Sequence, residues 1–428
     1  MVRFRFPTAP RALLRGCAAA LPLIVLGGCV TSRDAVVRAT RPEPAYDRLY
    51  QRSIEVCATS RIRPRFAGAG GPAGHAVLFL KGVCRDPAAP YPRLRLCDPA
   101  AADPAGPESG TGVSVDRVLK NVNWVAVPGE RLFFYGDVGR YELLDRQHLE
   151  AAVRRATEQG VFAGVETHVD PAPAAPGGGT VGERTAIDNF LGTDFALAYG
   201  RSAYCVRFPV PEAALARTVA YLNGLNDAYA GRGREYRWSG ISDNCAHVLH
   251  NALAAAGLWE RQSVRAFMAL QFFNLAIPVD QFSDAALLAG LEIEDPLAVW
   301  ERLALRRLVL REGWLPVGHG TLFRVIPVHQ RNAVYDTELT FFTLTDLFGT
   351  ESRRVGELLA DARFTDVEYN LLAFERRYEA LLAREARRRP GEPEDDGEYE
   401  RFRAAYFAWG RRQLADVREK LALLYGGR

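Results

Sequence analysis

Residues 242–250 read Ser-Asp-Asn-Cys-Ala-His-Val-Leu-His, and this stretch decides the predicted fold. Ser242 or Asp243 is a natural N-cap, so a helix is predicted to begin near Cys245 and to end at Gly257, a residue type suited to the C′ position. The free N–H groups and the dipole of a first helical turn favour a thiolate. Cys245 is therefore the candidate nucleophile of this chain.

A nucleophilic cysteine needs an imidazole base and a polar group that orients the imidazole. His75 begins the apolar run of residues 75–80, which predicts a strand. If residues 93–98 pair antiparallel with this strand, Asp98 lies opposite His75 and could orient its ring. A slip of one residue would remove that contact, and Asp98 before a proline is also a common turn residue. Asp116, in the next strand-like segment, is the alternative orienter.

In papain-like enzymes the cysteine helix precedes the histidine strand, but here His75 precedes Cys245. The chain resembles the circularly permuted branch of the NlpC-type papain-fold superfamily, which includes LRAT-like acyltransferases and periplasmic lipoprotein-associated domains. The resemblance rests on Gly74-His75 at a strand start, on Asp98 and on Asn244-Cys245 at a helix start. Residues 244–247 are also similar to the Asn-Cys-Glu-His of LRAT-like members, with alanine replacing the acid.

The resemblance covers roughly residues 70–258, with an insertion at about 140–180 that departs from the family core. It implies an α+β, papain-like domain in which Cys245 is the nucleophile, His75 the base and Asp98 the orienter. It also implies that the residues just before the nucleophile, Tyr236, Trp238 and Asn244, line the substrate cleft, although core packing is the plain alternative for the two aromatic rings. The backbone N–H of Cys245 is the expected oxyanion donor.

His247 and His250 are three residues apart on the predicted helix, so with Cys245 they could face one metal ion. No acidic fourth ligand is indicated, and no cysteines have the spacing of a structural zinc site. We therefore predict neither a metal nor a cofactor. The two histidines are expected to support the site or to lie at the surface.

Residues 1–28 are predicted to be a lipoprotein signal peptide. Four arginines precede a short apolar run, and the segment ends in Leu-Gly-Gly before Cys29, the candidate lipidation site. Diacyl and N-acyl chains of the palmitate type on Cys29 would form a stable anchor. By analogy with Gram-negative lipoproteins, Val30 favours the outer membrane facing the periplasm. The alternative is an ordinary secretory signal with an incidental cysteine.

The charge of the chain is also explained by this leader. The sequence has 54 basic and 51 acidic residues, a formal charge of +3. Removal of a leader with four arginines and no acid leaves 50 basic and 51 acidic residues, a charge of −1. The mature chain therefore gives no indication of a nucleic acid partner. Its 48% hydrophobic and 25% charged residues indicate a globular protein.

Export would place the remaining cysteines in an oxidising compartment. An odd number leaves at least one thiol unpaired in a monomer, and any four cysteines can pair in three ways. The sequence does not choose among these pairings. The five cysteines that follow Cys29 are Cys57, Cys84, Cys97, Cys205 and Cys245.

The predicted organisation has four parts: the signal peptide at 1–28, a tether at 29–48, the papain-like domain at 49–260 and a mainly α-helical region at 261–428. The last region is expected to end in an antiparallel helical hairpin. Together these features predict an envelope lipoprotein with thiol hydrolase or acyltransferase activity on an amide or ester. Its substrate would be a peptidoglycan peptide or a lipid acyl group. The alternative is a non-catalytic envelope scaffold that works through its helical region.

Overall fold

The computed structural model of the 428-residue chain describes ten continuous stretches and parts of two others. The stretches are 44–59, 62–64, 75–98, 110–128, 203–240, 243–259, 278–326, 350–388, 391–393 and 396–426, with parts of 141–168 and of 331–337. Cys29 and the leader lie outside the described residues, as does Gly74. No helix among the described residues is long and apolar enough to cross a bilayer.

The centre of the fold is a six-stranded antiparallel sheet with the order β7-β6-β3-β1-β8-β9. Its strands are rich in β-branched and aromatic residues, which pack well on a pleated surface. Both faces of β1 and β3 are buried, which explains the uninterrupted apolar run after His75. The strands are β1 (Ser53–Thr59), β3 (His75–Lys81), β6 (Gly110–Ser114), β7 (Val125–Pro128), β8 (Ala203–Pro209) and β9 (Leu322–Ile326).

Two two-stranded ribbons lie outside the central sheet. One of them contains residues 94–96, which were predicted to pair with the strand that begins at His75. β4 (Val83–Arg85) pairs with β5 (Leu94–Leu96), and β2 (Ile62–Pro64) pairs with β10 (Tyr335–Thr337). The predicted pairing of residues 93–98 with β3 is wrong, because β1 and β6 already occupy both edges of β3. Gly82, at φ 82°, instead turns the chain out of the sheet into β4.

Nine helices are described, and their association with the sheet makes the fold α+β, as predicted. They are α1 (Pro44–Leu49), α2 (Glu212–Tyr229), α3 (Cys245–Ala256), α4 (Pro278–Ala289), α5 (Pro296–Trp300), α6 (Leu303–Glu312), α7 (Thr350–Ala360), α8 (Val367–Leu382) and α9 (Gly397–Gly426). A short 3-10 helix (Ala362–Phe364) precedes α8.

Helices α2, α3 and α4 cover one face of the sheet. The indole of Trp124 donates a hydrogen bond of 2.7 Å to the carbonyl of Leu222 in α2. The rings of Tyr204 in β8 and Phe282 in α4 lie 6.0 Å apart, and α3 packs against β3. This packing fixes the start of α3, and with it Cys245, relative to the central strands.

The other face of the sheet carries buried charges that offset one another. The carboxylate of Glu55 in β1 lies 3.1 Å from Arg207 in β8 and 2.9 Å from Arg324 in β9. All three side chains are more than 90% buried. Buried ions are tolerated when they are paired, so the alternation of charged and apolar residues in these strands marks an ion-paired layer rather than a solvated one.

The sheet draws on both sides of the boundary that was predicted at residue 260. β9 follows residue 260 in the chain, yet it pairs with β8 along most of its length. The helical hairpin expected at the end of the chain forms as α8 and α9. Arg418 near the end of α9 contacts Glu375 and Glu379, and Arg411 contacts Glu385, so the two helices run antiparallel.

Candidate functional site

Cys245 is the first residue of α3, as the sequence predicted. The N-cap, however, is Asn244 rather than Ser242 or Asp243. The side-chain oxygen of Asn244 accepts hydrogen bonds from the N–H of Ala246 (2.9 Å) and of His247 (3.2 Å). Within the described part of the chain, the N–H of Cys245 itself has no acceptor. The helix ends at Gly257 in the left-handed conformation, φ 98°, as expected for a C′ glycine.

Two disulfides remove the ambiguity about the cysteines. Cys57 in β1 is bonded to Cys205, which lies directly opposite in β8, and Cys84 is bonded to Cys97 across the β4–β5 ribbon. Cys245 is the free cysteine among the described residues, and its side chain is half-buried. The thiol that the odd cysteine count leaves unpaired is therefore the one at the helix start.

His75 is buried at the first position of β3. Its Nε2 atom lies 3.4 Å from the hydroxyl of Ser114, the last residue of β6. Sequence reasoning missed Ser114. The signal that could have found it is the β3–β6 pairing, in which Leu78 faces Val113. Asp98 is exposed beyond the β4–β5 ribbon, so the register that would have placed it opposite His75 does not form.

Asp116 lies just beyond the end of β6, the strand that pairs with the His75 strand β3. Continued two residues past Ser114, the β3–β6 register brings Asp116 level with His75. Asp116 is buried, and its carboxylate accepts a hydrogen bond of 3.0 Å from the N–H of Val118. Of the two orienters that the sequence proposed, Asp116 is the one on a segment that adjoins His75.

A second polar cluster holds the loop before Cys245. The carboxylate of Asp243 accepts hydrogen bonds of 3.2 Å from the Tyr229 hydroxyl and from the Asn123 amide. The Tyr236 hydroxyl donates to the carbonyl of Asp243 at 3.2 Å, and its ring meets that of Tyr229 edge-on. Burial raises the pKa of Asp243, and burial together with the nearby Asp243 charge raises the pKa of Tyr229 to about 12.

Tyr236 connects this cluster to the histidine side of the site. Burial raises the pKa of Tyr236 well above its ordinary value, and the charges of Asp243, Cys245 and Asp116 raise it further. The Tyr236 hydroxyl is thus within electrostatic range of both Cys245 and Asp116. Tyr236 is therefore linked electrostatically to Cys245 and to Asp116, and the β3–β6 register brings Asp116 level with His75, although no described hydrogen bond joins Cys245 to His75.

Three residues were expected to line a cleft, and the two aromatic ones, Tyr236 and Trp238, differ in exposure. The side chain of Tyr236 is fully buried and contributes to the core, whereas Trp238 is 43% exposed. Between them and Cys245, the backbones of Ser239 and Asp243 exchange two hydrogen bonds of 2.9 and 3.1 Å. Asn244 also donates to the carbonyl of Gly240 at 3.0 Å. Trp238 is therefore the solvent-accessible ring of this pair.

His247 and His250 face different partners. His247 donates from Nδ1 to the Asn244 side-chain oxygen (2.9 Å), while His250 donates to Gln281 of α4 (2.9 Å). Among the described residues, the group of potential ligands close enough to share a metal ion is Glu55, Cys57 and Cys205. The two sulfurs of that group form a disulfide, so they are not metal ligands. Cys245, His247 and His250 are not gathered around one point.

No protein-family model, curated protein or solved structure matches this chain.

Proposed function

We propose that this protein is a thiol hydrolase or acyltransferase that acts on an amide or ester bond of a cell-envelope substrate, and that its core is a permuted papain-like domain. The observation that carries the proposal is the position of Cys245. It is the free cysteine of the described chain, it begins a capped helix, and that helix packs against the strand that begins with His75. A helix N-terminus stabilises a thiolate, and a partly exposed thiol can reach a substrate.

The proposed reaction begins with transfer of the Cys245 thiol proton to His75. The thiolate sulfur then attacks the carbonyl carbon, and the N–H of Cys245 donates a hydrogen bond to the oxyanion that forms. The C–N or C–O bond breaks as the leaving amine or alcohol takes the proton from His75. Water or another acceptor cleaves the resulting thioester and regenerates the thiol. Ser114 would hold the imidazole, because its hydroxyl is the hydrogen-bond partner of Nε2.

The location of the substrate follows from the predicted leader rather than from the fold. An acylated Cys29 would anchor the protein in the outer membrane, facing the periplasm, where the membrane itself is a partner. Stem peptides of peptidoglycan and acyl groups of lipids both offer carbonyls at that location. The near-neutral charge of the mature chain gives no support for nucleic acid binding.

The test compares the wild type with Cys245→Ala and His75→Gln on envelope extracts and measures products by mass spectrometry. We expect a specific cleavage or acyl-transfer product that Cys245→Ala abolishes and that His75→Gln lowers by about 100-fold or more, as expected for loss of a general base. His148→Gln is the matched control, because His148 pairs with Glu142 and Asp145 outside this site. A product formed equally by all variants would contradict the proposal.

A non-catalytic scaffold is the second candidate, and one observation favours it. Cys245 has no imidazole hydrogen bond among the described residues. A scaffold would leave Cys245 reacting with an alkylating agent at the rate of an ordinary half-buried thiol, and His75→Gln would not change that rate. A faster alkylation of Cys245 that His75→Gln slows and His148→Gln does not supports the enzyme instead.

A further inference from the structure

Asp280, in the first turn of α4, has an unusual environment for a carboxylate. Its side chain is only 6% exposed, and neither carboxylate oxygen has a hydrogen-bond partner. No salt bridge reaches it from any described lysine or arginine. A buried, unpaired carboxylate is costly, so such a group in a folded protein requires an explanation.

Two further carboxylates lie near Asp280. Asp284 is four residues later and therefore on the same face of α4. Glu351 lies in the first turn of α7, which packs against α4. Near the other end of the same contact, Leu358 of α7 lies against Gly290, so the two helices run in the same direction with their N-terminal ends together. Asp284 and Glu351 are both exposed.

Neither charge state of Asp280 is satisfied by the described protein groups. If it is ionised, its charge is buried and is repelled by Asp284 and Glu351. If it is protonated, its O–H group has no described acceptor, because no hydrogen bond joins it to either neighbour. Burial, followed by the charges of Asp284 and Glu351, disfavours the ionised form of Asp280 and so raises its pKa. A bound cation would offset all three charges and would occupy both oxygens of Asp280.

We propose that Asp280, Asp284 and Glu351 form a binding site for a hard divalent cation, with Ca²⁺ as the preferred ion. All three donors are carboxylate oxygens, which hard cations prefer. The three groups are not gathered within ligand distance of one another in this structure, so binding must draw the two exposed side chains towards Asp280. Ca²⁺ accepts 6–8 oxygen ligands in flexible geometry, whereas Mg²⁺ demands a strict octahedron, so an adjustable set favours Ca²⁺.

The test uses the full chain, freed of divalent ions with a chelator, at pH 7.5. Ca²⁺ is added up to about 10 mM, above the dissociation constants of weak extracellular sites. We expect the melting temperature to rise with Ca²⁺ concentration, because an ion that binds only the folded state stabilises it by mass action. Asp280→Asn should abolish the rise, and Glu351→Gln should weaken Ca²⁺ affinity by about tenfold or more.

Glu357→Gln is the matched control. Glu357 is an exposed acid of α7, the helix that also carries Glu351, and it forms an ion pair with Arg353. Its replacement should therefore leave the Ca²⁺ response unchanged. The proposal is overturned if Ca²⁺ up to about 10 mM leaves the melting temperature of the wild type unchanged. A Ca²⁺ response that survives in Asp280→Asn would also overturn it.

Discussion

Asn244 does more for the site than its place beside Cys245 suggests. One side-chain oxygen accepts from two backbone N–H groups and from the His247 ring, while the amide nitrogen holds Gly240. This pattern fixes both the first turn of α3 and the loop before it. The cap leaves the N–H of Cys245 directed to no described acceptor, which is the geometry that an oxyanion donor requires.

Replacing Asn244 with alanine should therefore affect stability and thiol chemistry together. We expect a loss of about 1 kcal/mol in the free energy of unfolding, the usual cost of a lost N-cap. The alkylation rate of Cys245 should also change, because the first helical turn that holds Cys245 would fray. Asp366→Ala is the control, since Asp366 caps α8 through the N–H of Tyr369. It should cost a similar free energy and leave the alkylation rate of Cys245 unaltered.

For single residues, the sequence predicted the site best where the position of a side chain depends only on its neighbours in the chain. The position of Cys245 at a helix start follows from neighbouring residues alone, and the structure confirms it. The partner of His75 depends on which strands flank β3, and that is decided by distant segments. Asp98 was therefore wrongly paired, and Ser114 carried no local signal of its own.

At the scale of elements, strand identity was predictable and strand pairing was not. The apolar runs that begin at His75 and after Ala203 are strands, and the segment after Pro211 is a helix. The prediction paired the strand that begins at His75 with the next apolar segment in sequence, residues 93–98. In the structure this strand, β3, lies between β1 and β6. Register depends on which faces other elements bury, so one sequence read locally does not determine it.

The two disulfides should differ in what they contribute. Cys57–Cys205 closes a separation of 148 residues, whereas Cys84–Cys97 closes one of 13 residues. In the chain-entropy view, the longer loop stabilises by about 5 kcal/mol and the shorter by about 3 kcal/mol. The double variant Cys57→Ser with Cys205→Ser should therefore unfold at a lower urea concentration than Cys84→Ser with Cys97→Ser. The reverse order would contradict this assignment, and peptide mapping without reductant checks the pairing itself.

At the scale of the whole molecule, one buried histidine joins the two ends of the described chain. His319 lies between Tyr50, which follows α1, and Asp416 of α9. Its Nδ1 is 2.8 Å from the Tyr50 hydroxyl and its Nε2 is 3.0 Å from the Asp416 carboxylate. The Tyr378 hydroxyl of α8 accepts a hydrogen bond of 3.1 Å from the backbone N–H of His319, and Lys420 pairs with the other oxygen of Asp416. These groups surround the His319 ring from each element that packs on it.

This arrangement predicts acid sensitivity. Burial lowers the pKa of His319, so the unfolded chain takes up a proton before the folded one does, and stability falls as pH drops below about 6.5. Burial acts to raise the pKa of Asp416, but hydrogen bonds from His319 and Lys420 outweigh it and lower that pKa to about 2. The stabilisation from Asp416 is therefore lost only below about pH 4.

Melting temperatures measured from pH 7.5 to pH 5 test this prediction. The wild type should lose stability through that range, because a protonated His319 would present an N–H to the Tyr50 hydroxyl where it now accepts. His319→Gln should start from a lower melting temperature and show a flatter dependence on pH. His148→Gln should keep the wild-type slope. A slope that survives in His319→Gln would assign the acid sensitivity to another group.

The contact between α1 and the segment around Gly320 has a consequence for how the chain is made. The Tyr46 hydroxyl bonds to the carbonyl of Gly320, a partner 274 positions away in sequence. Synthesis runs from the first residue to the last, so α1 emerges long before its partners exist. During that interval the rings of Tyr46 in α1 and of Tyr50 just after it have no native surface to cover them. Long-range closure of this kind slows folding, so the early segment must be kept from aggregating until the later helices arrive.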